Sequence, residues 1–123
     1  MMKYNDFRKG GMVSVWVGDF TSDIDLDDYL NLSRAFEPDF GFELNDRNMP
    51  ETVVKEAPTS IADLVAGFSW SKSYAAEVVN LANAQGISKA TTMLVFLNFE
   101  YRPQQAKQKE AAPLSFLGAV RFS

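Results

Sequence analysis

Eleven residues, Thr91 to Tyr101 (TTMLVFLNFEY), constrain the fold more than any other stretch. Met93, Val95, Leu97, Phe99 and Tyr101 fall on one face of an extended chain. Thr92, Leu94, Phe96, Asn98 and Glu100 fall on the other. A long strand with apolar residues on both faces needs partner strands alongside it in a sheet. Val13, Val15 and Val17 alternate with Ser14, Trp16 and Gly18, which predicts a second strand ended by Gly18-Asp19. Ser115 to Phe122 predicts a last strand, paired with the previous one as a hairpin across the polar connection 102–113.

Between these strands the pattern turns helical. Ser22 followed by Asp25 suits a capped start, with acids in the first turn. Leu26, Tyr29, Leu30, Ser33 and Phe36 share one face, while Asp23, Asp27, Asp28 and Asn31 share the other. Pro38 is expected to stop this helix near Phe36. Phe40 to Leu44 and Thr52 to Val54 read as short strands around the turn NDRNMP. Ser60 with Asp63 starts another helix on Ile61, Leu64 and Val65, and Gly67 ends it. A serine-rich joint around Trp70 and Lys72 leads to a third helix on Tyr74, Val78, Leu81 and Ala82, closed by Gly86. The fold class predicted is α+β: a small, mostly antiparallel sheet with about three helices packed on one face. Trp16, Leu94, Phe96 and Leu117 then lie on the far face, either under further chain or as an apolar patch for a partner. Residues 1–11, polar and ending in Gly10-Gly11, are expected to be a flexible leader, with 12–123 a single domain.

Composition narrows the chemistry. No cysteine and no histidine occur among the 123 residues. Ser-His and Cys-His catalysis is therefore excluded, as is a zinc site of the usual Cys/His type. No apolar run is long enough to cross a bilayer. Charge is uneven: residues 19–63 hold twelve acids against three bases, a net of −9, whereas 71–123 sum to +3. Such a distribution argues against nucleic acid as a direct ligand and points toward a basic partner, with surface solubility alone as the competing explanation.

The motifs that catch the eye carry no chemistry. Asp23, Asp25 and Asp27 have the first spacings of a calcium loop, but Asp28 stands where its glycine belongs and Arg34 where its bidentate acid belongs. Asp39-Phe40-Gly41 matches a kinase tripeptide without the rest of a kinase. Paired acids hydrolyse sugars only when a pocket keeps one protonated, and these acids fall on solvent-facing positions. The expectation is a non-enzymatic protein with no cofactor and no metal, working in the cytoplasm through an acidic surface.

VSVWVGDF before an acid-rich helix resembles the start of immunity protein 22 domains of bacteria. The likeness continues through PDFGFELND, SIADLVAGFSWSKSYAAEVVNLANAQGISKATTMLVFLNFEY and FLGAVRF, and spans about Met12 to Phe122. It leaves out 1–11 and 103–112. The resemblance implies a part in polymorphic toxin systems: binding a cognate toxin domain, often a nuclease with a basic groove, and protecting the producing cell. It brings no catalytic residues. The residues expected to meet the partner are Asp19, Asp23, Asp27, Asp28, Glu37 and Asp39 through charge, with Trp16 or Trp70 as anchor. For both tryptophans core packing is the competing assignment. The alternative function is a generic interaction or dimerisation module using the far face of the sheet.

Overall fold

A computed structural model describes residues 1–123. In chain order the elements are β1 (Met2–Lys3), a 3-10 turn (Tyr4–Phe7), β2 (Arg8–Gly18), α1 (Asp23–Asp27) continuing into a π-wound turn (Asp28–Leu32), α2 (Phe36–Phe40), β3 (Phe42–Glu43), β4 (Glu51–Ser60), α3 (Ile61–Val65), a 3-10 turn (Ser71–Ser73), α4 (Ala75–Ala84), β5 (Lys89–Phe99), α5 (Pro103–Ala106) and β6 (Leu114–Arg121). The fold is α+β. Four strands form an antiparallel sheet in the order β4-β5-β2-β6, and β1 pairs in parallel with β3.

The last strand does not form the expected hairpin with its predecessor. β6 pairs with β2, which lies between it and β5. The connection explains this: after β5 the chain crosses the sheet, where Tyr101 packs on Trp16 and its hydroxyl donates to the Phe40 carbonyl at 2.6 Å. Ser14 holds that crossing in place. Its hydroxyl donates to the Phe99 carbonyl at 2.7 Å and accepts from the Tyr101 N–H at 2.9 Å.

Helices cover both faces of the sheet rather than one. Val13, Val15 and Val17 face α3 and α4, in a core with Ile61, Leu64, Val65, Tyr74 and Val78. Trp16, Leu94 and Phe96 face α1 and α2, in an aromatic core with Tyr29, Phe36, Phe40 and Phe42. The central strands are apolar on both sides, so one helical layer leaves half of that area wet, at roughly 25 cal/mol per Å².

Two bulges redistribute side chains that simple alternation misplaces. Asn98 sits at φ 55° and its Oδ1 accepts the Gly11 N–H at 3.1 Å. This left-handed residue inverts the alternation, so Phe99 and Tyr101 join the Trp16 face instead of following Val95. In β6, Val15 pairs with Gly118 and Trp16 with Phe116, leaving Leu117 as the extra residue. Leu117 therefore packs with the valines, and Phe116 takes its expected place beside Trp16.

The expected leader is packed. Tyr4 and Phe7 are buried, and the Phe7 ring meets Phe42, Phe99 and Tyr101 edge-on. Residues three apart eclipse in a 3-10 turn, so both aromatics point the same way. Pro38 also behaves differently from expectation. It lies in the first turn of α2, where no N–H is needed, and the earlier helix has already ended at Leu32. Gly41 closes α2 at φ 77°, and a Cβ there would stand 1.9 Å from the Ala106 carbonyl oxygen. Gly41→Ala is therefore expected to lower stability by roughly 2–3 kcal/mol, read as a reduced urea midpoint at unchanged slope.

Candidate interaction surface

The six acids and two tryptophans singled out in the sequence separate into distinct groups. Trp16 is fully buried. It contacts Phe36, Phe40, Phe96, Tyr101 and Phe116 at ring-centroid distances of 4.8–5.6 Å. No partner reaches it in this fold, and its indole N–H has no hydrogen-bond acceptor.

Glu37 and Asp39 are committed internally. Arg34 grips Glu37 with two parallel bonds, Nε to Oε1 and Nη2 to Oε2, each 2.9 Å. The Leu44 N–H adds a third at 2.7 Å. The guanidinium contact, reinforced by that backbone N–H, holds the Glu37 carboxyl below the usual carboxylate range. Arg34 is partly exposed, so water weakens the pair's charge term. Glu37 nevertheless ties α2 to the segment after β3. Its depressed value makes this contribution complete above the ordinary carboxylate range and lost as pH falls through the folded value. Glu37→Gln is expected to cost about 1–2 kcal/mol at pH 7 and to flatten the loss of stability between pH 6 and pH 3, measured by urea unfolding across that range. Asp39 accepts the Tyr29 hydroxyl at 2.7 Å and lies 3.5 Å from Lys109 Nζ. Burial first, and then that bond to Asp39, push the Tyr29 hydroxyl far above its ordinary range.

The remaining acids form the surface. Asp19, Asp23, Asp27 and Asp28 are exposed, as is Asp25, and none makes an ion pair. Ser22 caps α1 by accepting the Asp25 N–H at 3.1 Å, as the sequence predicted. Leu26, Tyr29 and Leu30 anchor the helix to the aromatic core, which turns the acids outward. The Ser33 N–H reaches the Asp28 carbonyl five residues back at 2.8 Å, which widens the last turn. Two apolar side chains stand among the carboxylates: Ile24 is 79% exposed and Leu32 73%. With Asp28 between them at four-residue spacings, they form one ridge. The sequence carries this signal, since Ile24 and Leu32 stand opposite the apolar stripe at helical spacing.

Trp70 is elsewhere. It is 61% exposed at φ 56°, with its ring stacked on Phe122 at 5.7 Å. Its loop is tied down. The Ser69 N–H donates to Glu51 Oε1 at 3.0 Å, and the Tyr74 hydroxyl to the Ser69 carbonyl at 2.9 Å. Burial, and secondarily the Glu51 charge, push that hydroxyl up to about 12. Phe122 packs on the valine core, so Trp70 belongs to the side of the sheet opposite α1. Trp70→Ala is expected to change stability by less than about 1 kcal/mol, checked by thermal unfolding.

A comparison with protein-family models matches residues 13–123 to the family described as Immunity protein 22. The chain belongs to the Immunity protein 22 family. The match runs from the middle of β2 to residue 123 and takes in α1, the exposed acids and Trp70. Neither the curated proteins nor the solved structures compared with the chain give a match. Membership in Immunity protein 22 supports an immunity role, and such a role implies a toxin as partner. No helix of this Immunity protein 22 member is long and apolar enough to cross a membrane.

Proposed function

We propose that the chain neutralises a cognate toxin domain in the cytoplasm by binding it one to one and covering its working surface. The contact face is the exposed flank of α1 with Asp19, Asp23, Asp27 and Asp28. The observation that carries this reading is the set of outward carboxylates without internal cations, interrupted by Ile24 and Leu32. Charges of one sign around exposed apolar side chains suit a partner of the opposite sign: the charges raise the encounter rate, and burial of Ile24 and Leu32 slows release. A nuclease groove lined with lysine and arginine is such a surface, and an acidic face competes there with the phosphate backbone.

Glu37 and Asp39 leave the contact list, because each already has its cation. Trp70 remains an anchor only for a partner on the other side of the sheet; the uncompensated charge favours α1 as the toxin's docking face. The dimerisation reading loses its first basis, since helices cover the far face of the sheet. It keeps one support in the exposed Trp70, stacked on the half-buried Phe122. Light scattering over a range of concentrations separates the two: a monomer favours toxin capture by α1, and a dimer abolished by Trp70→Ala favours self-association.

The deciding experiment reads the neighbouring gene and, where it encodes a toxin domain, co-expresses that domain with this chain. The expected result is survival of the host and a one-to-one complex on gel filtration. Failure to form that complex, or turnover of a small substrate by the purified chain, overturns the reading.

A further inference from the structure

The geometry points to the groove between α1 and the start of β4 as a receptor for one lysine or arginine side chain of the protein partner. This rests on the toxin-binding reading above and deepens it, since it names the group that is held. Asp23 and Asp27 stand on one side and Met49 and Thr52 on the other, with Leu26 and Leu30 lining the groove between them. The space is about 280 Å³, just under the roughly 300–1,000 Å³ of sites that enclose small molecules. Its floor is apolar: Leu26 is 3% exposed and Leu30 4%. Its rim is anionic, and neither Asp23 nor Asp27 has a basic side chain in ion-pair reach.

An apolar floor beneath a carboxylate rim matches a side chain with an aliphatic stem and a cationic head. Asn31 Nδ2 donates to Asp27 Oδ1 at 2.6 Å, which orients that carboxylate and leaves Oδ2 free to accept. Met49 supplies a deformable wall that closes on a stem of either shape. Charge complementarity decides the occupant. A neutral segment seated here leaves the charge of two carboxylates unbalanced, an acidic one adds repulsion, and a second copy of this chain carries a net charge of −4. A basic segment of another protein satisfies both rim and floor.

The test uses a hexa-arginine peptide as probe, titrated into the full chain carrying labelled methionine methyls and backbone amides, followed by NMR. Saturable shifts are expected at the Met49 methyl and at the Leu30 and Thr52 amides. Asp23→Asn with Asp27→Asn is expected to weaken the peptide about tenfold, and Asp25→Asn with Asp63→Asn by no more than about twofold. The two pairs remove equal charge from exposed positions, but only the first lines the groove. Thr52→Lys places a cation in the groove with every carboxylate intact, and is expected to abolish the Met49 shift. Equal weakening by the two pairs, an unmoved Met49 methyl, or no binding overturns the proposal. A one-to-one toxin complex that survives such a result sinks the groove alone; absence of the complex sinks the toxin-binding reading whatever the peptide does.

Discussion

Trp16→Ala is expected to remove about 3–5 kcal/mol of stability, enough to leave a domain of ordinary stability partly unfolded at room temperature. The indole is fully buried and joins both halves of the aromatic core: α2 through Phe36 and Phe40, and the sheet through Phe96 and Phe116. These neighbours belong to separate elements with their own backbone bonds, so they cannot collapse into the space, and the cavity term is retained. Trp16→Phe is expected to cost much less. It loses one ring of volume but also removes the unpartnered indole N–H, a burden of roughly 1–3 kcal/mol in the native protein. Urea unfolding at fixed pH reads both variants. An alanine variant as stable as the parent means that the ring is not in the core, and phenylalanine as costly as alanine means that the N–H is satisfied in solution.

The sequence made much of this fold legible because local chemistry decided it. Ser22 and Ser60 cap the helices they were expected to cap, each accepting an N–H three residues on. Val13, Val15 and Val17 share a face as alternation requires. Misreadings arose where a single residue changes the periodicity. Asn98 at positive φ sends Phe99 and Tyr101 to the other side, and Leu117 stands as an extra residue opposite β2. Neither effect is visible in a hydrophobic pattern, because a left-handed asparagine has the composition of an ordinary turn residue. The aromatic residues Tyr4 and Phe7 were hidden by polar neighbours, and their packing depends on Phe42 and Phe99, which only the folded chain brings near. The candidate surface was half legible. The excess of acids points to α1 as a candidate, but the sequence does not reveal that Arg34 and Lys109 bind Glu37 and Asp39, because those pairs depend on the turn after Leu32 and on the crossing segment.

Reversing Asp23, Asp27 and Asp28 to lysine is expected to slow association with the toxin about 100-fold or more at low salt, with a smaller change in the rate of release. All three are exposed and free of ion pairs, so their field reaches an approaching partner. The substitutions change six units of charge on one flank, turning attraction to a basic surface into repulsion. Salt then accelerates association instead of slowing it, since screening acts on whichever sign dominates. Stability is expected to fall by about 1 kcal/mol, because lysine in the first turn of α1 opposes the helix dipole. Loss of fold therefore does not account for lost binding, and thermal unfolding checks it. A second triple variant, Glu56→Lys, Asp63→Lys and Glu77→Lys, carries the same net charge on exposed positions outside α1. If the toxin reads overall charge, both triples slow association alike. If it docks on α1, the second triple keeps most of the association rate and the sign of its salt dependence, and only the first loses them. Unchanged affinity and unchanged salt slope in the first triple reject α1 as the docking face and leave the Trp70 side of the sheet as the surface to examine.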